Sequence, residues 1–197
     1  EQEPGYAPSV GSTATKGSAP LRDIPQAVNV LPAQLLRDQG ATSMQDALRN
    51  APGVSFNAGD GQRDQVVIRG FTAIADWFVD GVRDDALYFR DLSDTERIEV
   101  LKGPAAVLYG RGSSGGLVNR VTKKPIFERP FGEVSLGLGS HDFKRLTADL
   151  NQPIGENMAF RLNVAREKSG SWRDQQFIDR YNVAPSLAMK FSPQTDL

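Results

Sequence analysis

From Phe131 onward the chain alternates apolar and polar residues with a period of two, in four successive segments. Val134, Leu136 and Leu138 alternate with Glu133, Ser135, Gly137 and Gly139, and Leu146, Ala148 and Leu150 with Arg145, Thr147, Asp149 and Asn151. Met158, Phe160, Leu162 and Val164 alternate with Ala159, Arg161, Asn163 and Ala165, and Val183, Leu187, Met189 and Phe191 with Asn182, Ala184, Ser186, Ala188 and Lys190. Successive side chains of a strand point to opposite faces, so each segment predicts a strand of about ten residues with one apolar and one polar face.

Strands of this length suit a transmembrane barrel, where one face meets lipid and the other a polar lumen. A soluble antiparallel sheet with one wet face has the same pattern, usually in shorter strands. The connections favour the barrel. Those at Ser140–Asp142, Pro153–Asn157 and Ser192–Asp196 are short, whereas Glu167–Arg180 is long and polar and carries Trp172 and Phe177. Outer-membrane barrels have short turns on one side and longer loops on the other. Four strands cannot close around a domain of about a hundred residues, since plugged transporters need about 22. An open sheet in lipid would leave edge groups unsatisfied, at several kcal/mol each. The chain is therefore expected to be part of a longer protein.

The first two thirds read differently. Residues 1–19 are rich in Gly, Ser, Thr, Ala and Pro and predict a flexible arm. Order is expected from Pro20, with an extended run through Ile24, Val28 and Val30. Pro32 suits the first turn of a helix that turns Leu35 and Leu36 inward and ends at Gly40. Ser43 and Asp46 have capping-box spacing, and Met44, Ala47, Leu48 and Ala51 form one apolar face of a second helix, stopped by Pro52-Gly53. Short strands follow at Gln65–Phe71, Trp77–Val82 (folded at the Asp80-Gly81 pair), Arg97–Leu101 and Leu117–Thr122, the last two joined by a turn-rich connection. The expected architecture is an α+β domain over residues 20–127 and the first four antiparallel strands of a β-barrel over 128–197.

Composition excludes several classes. Lys plus Arg is 23 and Asp plus Glu is 24, a balance without the basic surface of a nucleic-acid binder. There is no cysteine and one histidine, His141, so neither a thiolate site nor a histidine cluster can form, and no Ser/His/Asp constellation is possible except through His141. No catalysis, metal site or cofactor is expected. No run of 18 apolar residues is present, which excludes a transmembrane helix and says nothing against a barrel. Gly110, Gly112 and Gly115 form a G-x-G-x-x-G, but a dinucleotide turn needs a helix next, and the following LVNRVTKKPIFERP reads as strand and loop.

Five motifs in order resemble one family: LRNAPGV (48–54), VVIRGF (66–71), FVDGV (78–82), ERIEVLKGPAAVLYGRGSSGG (96–116) and LVNRVTKKP (117–125). Each is weak alone. Together they resemble the plug of TonB-dependent outer-membrane receptors, and the stretch from Tyr88 to Pro125 is most similar to ferric siderophore receptors. The resemblance implies a plug inside a barrel of about 22 strands in the bacterial outer membrane. It also implies an N-terminal arm in the periplasm and import of a ferric siderophore driven by TonB, with iron carried only inside the ligand. Haem, cobalamin or a glycan as ligand, or a soluble α+β binding domain, are the alternatives. No TonB box is evident in the arm.

A ferric siderophore already saturates its iron, so its receptor needs aromatic surfaces and a few donors rather than metal ligands. The loop after Asp80-Gly81 offers both, in Arg83, Asp84, Asp85, Tyr88, Phe89 and Arg90. Arginine suits anionic catecholate oxygens, although Arg83 and Arg90 could instead pair with neighbouring acids and hold the loop. Gln62 and Arg63 form a second candidate apex, and Trp172 in the long barrel loop a third. From Asp60 to Lys124 there are ten basic and ten acidic residues. Among these and their neighbours, Arg69, Glu96, Arg97, Glu99, Lys102 and Arg111 are expected to form ion pairs within the plug or from plug to wall.

Overall fold

The computed structural model describes residues 5–6, 8–17, 19–57, 63–112, 114–192 and 195–196. The chain forms two compact units, Glu1–Thr122 and Lys123–Leu197. The division falls five residues before the expected one at 127/128, for a reason found in side chains. Lys123 Nζ bonds Asp149 at 2.9 Å and Asn163 at 3.3 Å, and the Asn151 side chain brackets the backbone of Ile126.

In the first unit, β1 (Val10–Gly11) pairs with β2 (Ala19–Pro20), and β3 (Ala27–Pro32) runs straight into α1 (Ala33–Asp38). Pro32, extended at φ −74°, is the N-cap of α1. In α2 (Met44–Leu48) Ser43 Oγ accepts from Asp46 N–H at 3.2 Å and donates to the Asp46 carboxylate at 2.7 Å, a short version of the expected capping box. Met44, Ala47, Leu48 and Ala51 are buried as their spacing requires.

Next come β4 (Val54–Phe56), β5 (Val66–Ile68) and β6 (Phe71–Thr72), which make a small antiparallel sheet, then β7 (Trp77–Val79) and β8 (Val82–Arg83). The β7–β8 turn places Asp80 at φ 50° and Gly81 at φ 80°, both left-handed, as a two-residue hairpin of this type demands. Then follow β9 (Thr95–Lys102), a four-residue helix α3 (Ala106–Tyr109) inside the connection expected to be turn-rich, and β10 (Gly116–Thr122). The main sheet has the order β3-β9-β10-β7-β8.

The two faces of that sheet differ. Ile98, Val100 and Val118 point into one core with Met44, Leu48 and Trp77. The alternate residues Glu99, Leu101, Leu117 and Asn119 point the other way, where Ala14, Ile24 and Phe78 join a second, smaller cluster. The described part of the N-terminal segment therefore packs rather than forming the expected free arm. Thr13 and Ala14 are buried, and Glu99, at 0% exposure, accepts from Ser12 N–H (3.0 Å), Ser12 Oγ (3.1 Å) and Thr13 N–H (2.7 Å). Asn119 Nδ2 donates to Thr13 Oγ1 at 3.0 Å, and Tyr109 Oη donates to the Thr13 carbonyl at 2.6 Å. A segment too polar to bury itself is ordered here because the sheet supplies the partners its backbone needs.

The glycines of the G-x-G-x-x-G motif lead into a strand, β10, and serve packing. A Cβ on Gly115 would collide with the Ile68 carbonyl oxygen, and one on Gly116 (φ 137°) with that of Leu101. Gly116→Ala is expected to cost about 1–3 kcal/mol through overpacking against backbone that cannot give way. It should lower the thermal unfolding midpoint of the protein.

The second unit is an antiparallel sheet in chain order: β11 (Phe131–Leu138), β12 (Lys144–Ile154), β13 (Met158–Ser169), β14 (Ile178–Ser192) and a two-residue β15 (Thr195–Asp196) beyond the four expected. The strands reach 15 residues in β14. Their polarity is inverted relative to a water-soluble sheet. Leu136, Leu146, Leu150, Val183 and Leu187 are exposed, whereas Arg145, Asp149, Asn151, Arg161, Asn163 and Glu167 are buried. The buried charges are matched: Arg145 and Arg180 both bond Glu167 (2.6 and 2.9 Å), and Arg161 and Lys123 both bond Asp149 (2.8 and 2.9 Å). A soluble sheet does not keep its ionic face dry and its leucine face wet.

Candidate functional site

β8 feeds the loop 84–91, the expected ligand apex. The structure gives its two arginines internal partners. Arg90 is 2% exposed. Its Nε donates to Asp84 Oδ2 at 2.9 Å, and Nη2 donates to the carbonyls of Asp84 (3.0 Å) and Ala86 (2.9 Å). Nη1 donates to the Tyr88 carbonyl at 3.4 Å and lies 3.6 Å from Asp64 Oδ2. The guanidinium sits 4.5 Å from the ring centroids of both Trp77 and Tyr88. Asp64 closes the arrangement from another segment: its carboxylate accepts from Arg90 N–H at 3.0 Å, and its own N–H donates to the Tyr88 carbonyl at 3.3 Å. Burial pushes the Asp64 carboxyl above its ordinary value, and the Arg90 N–H and charge only partly offset it.

Arg83 is likewise engaged. It donates to the carbonyls of Ala75, Tyr109 (3.0 Å) and Arg111, lies 3.8 Å from Asp76 and 3.7 Å from Asp85, and covers the Phe78 ring. It lines a cavity of about 110 Å³ with Asp76, Phe78 and Tyr109. A drug-sized ligand needs roughly 300–1,000 Å³. Both guanidiniums are thus engaged by carbonyls and carboxylates of the first unit, Arg90 within its own loop and Arg83 mainly with residues 75–76, 109 and 111.

The loop instead offers surface. Leu87, Tyr88 and Phe89 are 51%, 39% and 46% exposed, and Tyr88 Oη donates to Asp84 Oδ2 at 2.8 Å. Asp85 is exposed beside them. Arg63 is half-buried, next to Asp64, and Gln62 lies outside the described residues. Trp172, in the second unit, is 74% exposed with the Arg173 guanidinium 4.7 Å from its ring centroid.

Of the residues expected to form ion pairs, Arg97 and Glu99 do so at 2.7 Å. Burial pushes the Glu99 carboxyl up, but hydrogen bonds from Thr13, Arg97 and Ser12 outweigh it and hold the group below its ordinary value. Glu96 is half-buried and has a polar or charged partner. No described carboxylate pairs with Arg69, Lys102 or Arg111. Burial and the Arg69 charge both lower the Lys102 pKa, so these two cations oppose rather than satisfy each other. Sequence balance counted charges, whereas pairing needs atoms within reach.

Asp64, Leu87 and the Ser12–Thr13 pair were not singled out from the sequence. The three-residue run Leu87-Tyr88-Phe89 inside a charged loop was the available signal for Leu87. Nothing local marks the other two.

Residues 20–117 match the family model described as TonB-dependent Receptor Plug Domain. The chain belongs to the TonB-dependent receptors. It is 41% identical over 196 residues to the probable TonB-dependent receptor BfrD of Bordetella pertussis, covering 96% of this chain and 26% of that protein. It is 40% identical over 189 residues to the catecholate siderophore receptor Fiu of Escherichia coli K12, covering 93% and 25%. Among solved structures, the open form of the ferric-catecholate import receptor Fiu from E. coli superposes with TM-score 0.80 at 40% identity, over 86% of this chain and 25% of that one. The ferripyoverdine receptor of Pseudomonas aeruginosa bound to ferripyoverdine superposes at 0.89 and 30%, over 97% and 26%. This receptor chain thus spans about a quarter of the length of the relatives it matches. Its α+β unit corresponds to the plug and its antiparallel strands to the segment that follows the plug in those receptors.

Proposed function

We propose that this chain is the plug and first wall strands of an outer-membrane receptor that binds and imports ferric siderophores, energised by TonB. The observation that carries this reading is a plug-family domain followed by strands with an exposed leucine face and a buried ionic face. The exposed face suits acyl chains and the ionic face a polar lumen. In the complete protein, strands beyond this chain close the wall, and Arg69, Lys102 and Arg111 meet carboxylates on it. TonB pulls from the N-terminal side, which loads the bonds from Ser12 and Thr13 to Glu99.

Ligand contact falls on the Leu87-Tyr88-Phe89 ridge, with Arg63, Asp85 and Trp172 as further candidates. A ferric catecholate is bulky and rimmed by aromatic rings, so stacking on Tyr88 and Phe89 supplies contact area without competing for the iron. The catecholate class rests on the likeness to Fiu. The metal-pseudopaline receptor CntO of P. aeruginosa, 40% identical over 198 residues, supports a second reading in which the ligand is another metal chelate.

Phe89→Ala in the full-length receptor is expected to weaken binding of the ferric complex of 2,3-dihydroxybenzoate about tenfold, the loss of one aromatic contact. Fluorescence quenching in detergent measures it. Quenching by haem or cobalamin but by no ferric chelate would end the siderophore reading.

A further inference from the structure

The Arg90 guanidinium is buried, charged and fully engaged, and all the carbonyls it bonds belong to one short loop. Those of Asp84, Ala86 and Tyr88 are three alternate residues on the chain leading to Arg90 itself. Such a fork replaces the regular hydrogen bonds that loop 84–90 lacks, and it fixes the path of the backbone around one planar group. The guanidinium carbon lies 4.5 Å from the ring centroids of both Trp77 and Tyr88, so moving the group disturbs both ring contacts. Asp64 ties this loop to the segment at 63–65 through two bonds, one to Arg90 N–H and one to the Tyr88 carbonyl.

We infer that Arg90 is a positioning residue for ligand binding: it folds loop 84–90 around its guanidinium so that Leu87, Tyr88 and Phe89 stand out as one rigid ridge, and through Asp64 it locks that ridge to the neighbouring segment. The inference rests on the reading of this ridge as the ligand surface and assigns Arg90 no contact with ligand. Rigidity matters because a loop ordered before binding does not lose its conformational freedom on binding. Lysine cannot substitute, since a single ammonium cannot bond three carbonyls and the Asp84 carboxylate in one plane.

The test uses the full-length receptor with Arg90→Lys, Arg90→Ala and Phe89→Ala, and reads two quantities. Amide exchange of residues 84–90 in the unliganded receptor reports the loop, and affinity for the ferric complex of 2,3-dihydroxybenzoate reports the site. Both Arg90 variants are expected to speed exchange in 84–90 about tenfold or more while leaving β9 and β10 protected. Both should weaken binding about tenfold. Phe89→Ala should weaken binding with exchange unchanged. Ethylguanidinium, but not ethylammonium at equal concentration, should restore both readouts to Arg90→Ala, a response that general destabilisation would not give. Unchanged exchange in both Arg90 variants overturns the inference whatever the binding. Faster exchange with wild-type affinity, when Phe89→Ala still weakens binding, overturns it and leaves the ridge as the ligand surface. Faster exchange with full affinity in all three variants removes the ridge from the site and the inference with it.

Discussion

Replacing Glu99 by alanine in the full-length receptor is expected to raise amide exchange across residues 9–20 by about a hundredfold or more, while β9 and β10 change far less. The carboxylate is fully buried and holds Ser12 and Thr13 through their backbone N–H groups and Arg97 through its guanidinium. Removing one partner of such a buried charged cluster costs about 3–5 kcal/mol, because the donors left behind have no water to replace it. At about 1.4 kcal/mol per factor of ten, that is two to three decades in the opening equilibrium of the segment. Glu99→Gln keeps an acceptor and loses the charge, so about 1.5–3 kcal/mol is expected there.

The wild-type protein carries a pH signature of the same clasp. Glu99 is held below its ordinary value of 4.5, so its contribution is fully present above that value and is lost as pH falls through the lower folded-state value. Exchange of residues 9–20, corrected for the intrinsic rate, should therefore rise on acidification below 4.5, and Glu99→Gln should abolish this step. Segment 9–20 staying protected in Glu99→Ala would show that Glu99 does not hold it.

Leu162→Arg on β13 is expected to cost about 2–4 kcal/mol of stability in a bilayer, the price of a cation at mid-depth on the lipid face of a barrel. Leu162 lies opposite Leu150 on β12 and on the same face as Phe160 and Val164, all part of the outward apolar stripe. The native strand shows where charge is tolerated: two and four residues past Val164 the same face carries Arg166, paired with Asp179 at 2.5 Å, and Lys168. Lys168→Arg, on this same face near the end of the strand, is accordingly expected to cost only about 0–1 kcal/mol. Urea-dependent folding into lipid vesicles, read by heat-modifiable gel mobility, measures both. Equal stability of the two variants, with a receptor soluble without detergent, would contradict a lipid-facing β13.

What could be read from residue order concerns elements whose energy is local. Ser43 three residues before Asp46, and Met44, Ala47 and Leu48 on one helical face, specify α2 because cap and stripe lie within one turn. Asp80-Gly81 specifies the β7–β8 hairpin, and the alternation from Val134 to Phe191 specifies four long strands. A period of two defines two faces but not which is buried. That came from Arg145 meeting Glu167 and Arg161 meeting Asp149 across strands, in a register set by the turns between them.

The remaining features depend on where the chain returns. Arg90 looked equally suited to a ligand and to its own loop. The decision lies with carbonyls bent around it and with Asp64, 26 residues earlier. Ser12 and Thr13 looked like part of a flexible arm, and they are ordered by Glu99, 87 and 86 residues away. Sequence alone determined the α+β unit, the strands and their two faces, since propensity and periodicity act between near neighbours. Tertiary structure decided which charges are paired, which side of the sheet is dry and which loop residues stay exposed. Those outcomes are set by distances between atoms that only the folded chain brings together.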